Sequence, residues 1–240
     1  MLERLLRGAD HLGITITPDQ AGQFQLYYEE LVEWNKRVNL TAITSYEEVQ
    51  TKHFLDSLTL ITALENMPWA NGDFALIDVG TGAGIPGIPL KIVLTKARVV
   101  LLDSVAKKTA FAQHAVEKLG LRHVEVVTAR AEELARQPAY REAFHLVVCR
   151  AVSKLASIAE LALPFCRKGG LAVIPKKGRI EEELTHATKA IDILGGRSRE
   201  IKDIQLEGLE QHCLVVLEKT APTPQRYPRR TGIPEKRPIS

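Results

Sequence analysis

The segment DVGTGAGIPGIPL, Asp78 through Leu90, constrains this chain more than any other stretch. It follows the apolar run FALIDV (74–79) directly and leads into a helical pattern over 86–94. Gly80, Gly82 and Gly84 permit a tight turn and close approach of a ligand to the main chain. Pro86 and Pro89 lie near the helix start, where a missing N–H costs little. Strand, glycine-rich turn and helix in that order open an α/β unit whose ligand crevice lies beyond the carboxyl ends of the strands.

The rest of the chain continues this pattern. Short apolar runs RVVLLD (98–103), HVEVVT (123–128), FHLVVC (144–149) and LAVIP (171–175) alternate with helical stretches over 106–119, 131–136 and 155–166. Strands separated by helices predict a parallel sheet with right-handed crossovers. A helix over 180–194 follows, then strand-like runs near 198–206 and 211–218 that are joined too closely for a crossover. These predict an antiparallel hairpin at the sheet edge. The expected fold class is therefore α/β and Rossmann-like, with five parallel strands plus a C-terminal hairpin in a seven-stranded sheet.

The first 70 residues read as helices. Thr17-Pro18-Asp19-Gln20 combines an N-cap, a proline at the first helical position and a capping-box glutamine. Phe24, Tyr27, Tyr28, Leu31 and Trp34 follow at helical spacing, and Ser45 caps a further helix carrying Phe54, Leu55, Leu58 and Ile61. The expected organisation is a helical extension (1–70), a catalytic α/β domain (71–219) and a basic, proline-rich tail (220–240).

Composition narrows the function. Hydrophobic residues make up 45% and charged residues 25% of the 240, an ordinary globular balance. No apolar run approaches the roughly 20 residues that cross a bilayer, and the N-terminus lacks a signal-peptide core, so no membrane partner and a cytoplasmic location are expected. Cys149, Cys166 and Cys213 are widely spaced and carry neither a disulfide framework nor a zinc signature. His53 and Asp56 lie one helical turn apart without a third ligand. They are expected to form a hydrogen-bonded pair at the interface between extension and sheet, and no metal is expected.

Charge is unevenly spread. From Lys219 onward six bases and one acid give +5, leaving the preceding 218 residues at −2. A near-neutral body with a basic tail suits a polyanionic partner. Pro222, Pro224, Pro228, Pro234 and Pro238 predict an extended tail that offers Arg226, Arg229 and Arg230 to phosphates and Tyr227 to a base.

Candidate ligand residues cluster at the strand ends. Asp78, Gly80, Gly82, Gly84 and Ile85 form the first loop; the pattern departs from the dinucleotide GxGxxG at Ile85. Asp103 closes the second strand, where a carboxylate can accept both hydroxyls of an adenosine ribose, with Ser104 beside it. Ala131 and Glu132 follow the third strand and are placed to border an adenine. Arg150, Lys176 and Lys177 follow the fourth and fifth strands, a concentration of cations suited to phosphate or nucleobase recognition. Lys107, Lys108 and Arg130 extend the basic edge. From these residues alone, an S-adenosylmethionine enzyme, an NAD-dependent oxidoreductase and a non-enzymatic RNA-binding protein all stay open.

Seven motifs in order then resemble the RsmG (GidB) family: NLTAI (39–43), HFLDSL (53–58), DVGTGAGIPGIPL, LLDSVAKKTAF (101–111), TARAEEL (128–134), CRAV (149–152) and RYPRRTGIPEKRP (226–238). The resemblance runs from about residue 20 to the C-terminus. It implies a class I S-adenosylmethionine-dependent methyltransferase that modifies N7 of guanine 527 in the 530 loop of bacterial 16S rRNA. The implied cofactor residues are Gly80, Ile85, Asp103, Ser104, Ala131, Glu132 and Arg150. Arg150 and Lys176 are the candidates for catalysis. Lys107, Lys108, Arg130, Lys176, Lys177, Arg226, Tyr227, Arg229 and Arg230 are the candidates for RNA contact. The expected partner is 16S rRNA or the small ribosomal subunit, bound by a monomer. The remaining alternative within methyl transfer is a pyrimidine-C5 enzyme using Cys149 as nucleophile.

Overall fold

A computed structural model of the chain describes residues 2–150 and 153–240. Ala151 and Val152, the second half of the CRAV motif, lie outside the described residues. Seven strands form one sheet: β1 (Ala75–Val79), β2 (Arg98–Asp103), β3 (Val124–Thr128), β4 (Phe144–Val148), β5 (Cys166–Lys177), β6 (Gly196–Asp203) and β7 (His212–Lys219). Their order is β3-β2-β1-β4-β5-β7-β6. The first five are parallel, and β7 runs antiparallel to both β5 and β6, so it alone is reversed. The order changes direction between β1 and β4, and this switch point is where an open α/β sheet forms its crevice.

Helices cover both faces, as a parallel sheet requires. On one face lie α5 (Gly87–Val93), α6 (Ala106–Lys118) and the N-terminal helices α1 (Glu3–His11) and α2 (Pro18–Asn35). A bent stretch joins them on this face: α3 (Tyr46–Val49), a π-wound segment Gln50–Leu55, α4 (Asp56–Thr59) and a 3-10 turn Leu60–Leu64. On the other face lie α7 (Ala131–Leu134), α8 (Leu155–Ala162) and α9 (Glu181–Ile193). Neighbouring strand residues divide between two cores, with Leu76 and Leu101 facing Phe24, Phe54 and Phe111, while Ile77 and Leu102 face Ile158, Phe165 and Ile191. That alternation is the period of two of a pleated strand.

The extension is packed as part of the first core. The Tyr27 ring stacks on Phe54 at 5.4 Å and on Phe111 of α6 at 6.4 Å. Such pairs contribute about 0.5–1.5 kcal/mol each beyond their buried area. The capping box forms as its residues predict: Gln20 N donates to Thr17 Oγ1 and Thr17 N to Gln20 Oε1. The same glutamine donates from Nε2 to the Ile92 carbonyl at 2.8 Å, tying α2 to α5.

The tail departs from the expected extended chain. Pro228 and Pro234 are buried, and Ile233–Lys236 forms a short helix, α10, with a proline in its first turn. Arg141 donates to the Tyr227 and Thr223 carbonyls, and Ser157 Oγ to the Pro234 carbonyl. Prolines lack an N–H, but the tail keeps all its carbonyl acceptors, and distant side chains satisfy these three.

Candidate cofactor and RNA site

The glycine loop is built by its own backbone. Gly80, Gly82 and Gly84 have φ of +78°, +58° and +84°, a region costly for residues with a Cβ. Gly80 N and Thr81 N both donate to the Leu102 carbonyl, at 2.8 and 2.9 Å. Buried Asp78 clips the loop to α5, since its Oδ2 accepts from Thr81 Oγ1 at 2.6 Å and from Gly87 N at 2.8 Å. Tyr27 Oη of α2 donates to the Ala83 carbonyl at 2.5 Å. Tyr27 was legible only as core; its hydroxyl adds a direct brace between extension and loop.

Gly87 was not singled out from sequence. A Cβ there would sit 2.2 Å from Leu101 Cδ2 and 2.9 Å from Asp78 Oδ2, so any side chain at this position would force both groups to shift. Its signal was the second glycine of GIPGIPL. At Gly80 and Gly82, by contrast, an added Cβ would meet nothing within 4 Å.

Asp103 stands at the end of β2 with both oxygens engaged by backbone. Oδ2 accepts from Gly82 N and Oδ1 from Val105 N, each at 2.9 Å. Each carboxylate oxygen keeps a second lone pair. The aspartate therefore orients the glycine loop and retains acceptor capacity for a ribose. Ser104 beside it is exposed.

The residues fit an aminoacyl-nucleoside ligand. Space lies open over Gly80 and Gly82, and Asp78 Oδ1 is buried without a hydrogen-bond partner among the described residues. Burial, the largest influence, raises the Asp78 pKa to about 7, against the lowering bonds from Thr81 and Gly87. A cationic, donor-bearing ligand would offset that desolvation. Glu132, at the start of α7, is mostly buried and accepts from Gly232 N of the tail at 2.8 Å. The tail thus holds one oxygen of Glu132, beside half-buried Ala131.

At the other end of the crevice, Arg150 follows β4. Its Nη2 donates to the Lys52 carbonyl at 2.8 Å and lies 3.3 Å from Asp56 Oδ2. This corrects the expected His53–Asp56 pair: His53 bonds Thr41 Oγ1 through Nε2, and Asp56 faces Arg150 and His212. Burial followed by the nearby Arg150 charge lowers the His53 pKa to about 4. A neutral ring does not compete for the carboxylate. Lys176 Nζ is tied to the Ser153 carbonyl and to Glu183 Oε1, both at 2.7 Å, with its side chain 13% exposed. Lys177, Lys107 and Arg130 are exposed and Lys108 is half-buried.

Two tail expectations change. Tyr227 is 8% exposed and packs into the second core, so its ring is not displayed for stacking. Arg229 is paired with buried Glu160 rather than displayed to phosphates. Arg226 and Arg230 remain exposed.

All three cysteines are buried, and burial pushes the Cys166 thiol up to about 12. Cys149 is 2% exposed. No group of three or more His, Cys, Asp or Glu among the described residues is placed to hold a metal, and no described helix is long and apolar enough to cross a membrane.

Sheet order, glycine loop and strand-end carboxylate together define a Rossmann-like S-adenosylmethionine-dependent methyltransferase. The fold is shared with a methyltransferase of this class from Aquifex aeolicus, at TM-score 0.51 and 17% identity, over 72% of this chain and 92% of that one. It is shared too with a mutant of MtNAS in complex with S-adenosylmethionine, at TM-score 0.54 and 16% identity, over 84% and 76%. Residues 20–214 match the GidB family, described as rRNA small subunit methyltransferase G, and the chain belongs to that family. Ribosomal RNA small subunit methyltransferase G of Dehalococcoides mccartyi (strain CBDB1) is 48% identical over 239 residues, 99% of this chain and 100% of that protein. Its counterpart in Roseiflexus castenholzii is 47% identical over 238 residues, with the same coverage of both chains.

Proposed function

We propose that this chain transfers the methyl group of S-adenosylmethionine to N7 of guanine 527 in 16S rRNA, acting as a cytoplasmic monomer on the RNA or the small subunit. Membership of the small-subunit rRNA methyltransferase family along nearly the whole chain carries this reading. The glycine loop, held by Asp78 and oriented by Asp103, supplies the cofactor end.

Bound there, S-adenosylmethionine supplies a methyl group activated by its sulfonium. Guanine N7 carries an in-plane lone pair and no proton. Attack through that lone pair would need no residue of this chain as a general base. The protein's task is in-line positioning and exclusion of water. Gly80, Gly82, Gly84 and Ile85 would let the cofactor approach the main chain, Asp103 and Ser104 would receive its ribose, and Ala131 and Glu132 would border its adenine. Arg150 stands at the reacting end. Because the product base is cationic, Arg150 acts on an acceptor, not on that developing charge. Lys176 acts by holding Ser153 and Glu183, which in turn meets Leu155 N at the start of α8. Lys107, Lys108, Arg130 and Lys177 supply phosphate contacts along the carboxyl edge, Arg226 and Arg230 supply them from the tail, and Tyr227 and Arg229 hold that tail in place.

Label transferred from methyl-labelled cofactor to unmethylated small-subunit rRNA, digested to nucleosides, tests the chemistry. All label is expected in 7-methylguanosine. Label in a 5-methylpyrimidine would overturn the reading in favour of Cys149 chemistry.

A further inference from the structure

Arg150 is gripped from outside the catalytic sheet. Both of its partners, the Lys52 carbonyl and Asp56 Oδ2, come from the helical extension, on either side of the π-wound segment's end. Such i→i+5 windings are rare and recur at functional sites. Asp56 is 4% exposed, and His212 Nε2 lies 3.9 Å from its other oxygen. His212 opens β7 and is paired in register with Lys177 at the end of β5. Three strand ends and the extension therefore meet at this corner.

A carboxylate buried to this depth is a poor device for stability alone, because desolvation cancels much of the Coulombic gain. What the arrangement does secure is orientation. One nitrogen, Nη2, takes both contacts, and Nε and Nη1 have no partner among the described residues. The side chain stays 30% exposed at the carboxyl edge of β4. A planar guanidinium held at one nitrogen by a carbonyl and a carboxylate presents its other donors as a rigid fork.

Guanine and adenine both present N7, but differ beside it: guanine carries the O6 acceptor and adenine the N6 donor. An N–H donor next to the methylation point donates to guanine O6 but meets a second donor at adenine N6. We propose that Asp56 is a positioning residue that holds Arg150 so that its free donors bond guanine O6, making the pair the base-selecting element of the site. This rests on the N7 assignment above. His212 backs Asp56 from the other side, and neutral His53 leaves the carboxylate to Arg150.

The test uses unmethylated small-subunit RNA carrying guanosine at the target position, and the same RNA with 2,6-diaminopurine riboside there. The analogue keeps N7 and the 2-amino group but replaces O6 by an amine. The wild-type protein is expected to favour guanosine by roughly 10–100-fold in kcat/KM, the range of one good base contact. Asp56→Asn should reduce that preference to a few-fold, and Asp56→Glu should restore part of it. Should Asp56→Asn not fold, Arg150→Lys removes the planar fork but keeps the charge, and the same ratio is read. An undiminished preference in a folded variant, or lost cofactor affinity with the preference intact, would overturn the proposal. Wild-type label appearing elsewhere than N7 would instead overturn the reading beneath it.

Discussion

Arg229 closes on Glu160 through backbone and side chain together. Its N donates to Oε1 at 2.7 Å, its Nε to both oxygens at 2.9 and 3.0 Å, and its Nη2 to Oε2 at 2.6 Å. Glu160 lies on α8 with no exposed surface. The C-terminal tail is thus anchored to the catalytic domain by a buried carboxylate 69 residues away in sequence.

Breaking that anchor should cost stability. Arg229→Ala leaves Glu160 buried and without its cation, a loss of about 3 kcal/mol on the scale of broken buried pairs. Ending the chain after Lys219 should be worse, because it also removes Thr223, which hydrogen-bonds the buried Lys219 ammonium. Urea unfolding would show lower midpoints for both. Unchanged midpoints, with only RNA affinity reduced, would show the tail to be a mere phosphate-binding arm.

Gly82→Val should remove cofactor binding, both by filling the open space and by straining the loop, with the sheet and helices retained. The valine must adopt φ near +58° and places its branch in space that no protein atom fills. Gly87→Ala should do the reverse first, destabilising the fold through Leu101 and Asp78. Calorimetric titration with S-adenosylmethionine alongside thermal melting separates the two. Wild-type affinity in Gly82→Val would contradict the placement of the cofactor.

Asp78 makes stability depend on pH. Its pKa rises from 3.8 to about 7 on folding, so the folded chain keeps a proton that the unfolded chain releases within that interval. The contribution is fully present below 3.8 and is lost as pH rises toward 7. Asp78→Asn, whose amide oxygen can still accept from Thr81 and Gly87, should flatten stability against pH across this window. Urea midpoints measured from pH 4 to 7.5 check this, and equal slopes in both proteins would refute it.

Local pattern made much of this legible. The β2 range 98–103 agrees with the structure because a strictly apolar run ends in a single acid, and the Thr17–Gln20 box formed as read. β5 begins earlier than its apolar run implies. Cys166–Gly170 reads as a helix end and a glycine break, yet Cys166 pairs with Phe144 of β4 and an irregularity carries the strand forward. Long-range partners were the blind spot. Proline content argued for an extended tail, but the groups that seat it, Arg141, Ser157 and Glu160, are remote in sequence and carry no local signature. Asp56 and His53 share a helical turn, which suggested a pair. The π-wound segment and the position of Arg150 turned Asp56 to a different partner.

The proposed reaction places one methyl group on one purine nitrogen at one position. Small-subunit rRNA lacking the modification, treated with this protein and S-adenosylmethionine, should become sensitive to borohydride and aniline scission at 7-methylguanine. A single new cut at guanine 527, absent without cofactor and absent with Gly82→Val, is the result this account predicts. A folded, cofactor-binding protein that produces no cut there, or that places its methyl group on a pyrimidine, would contradict it.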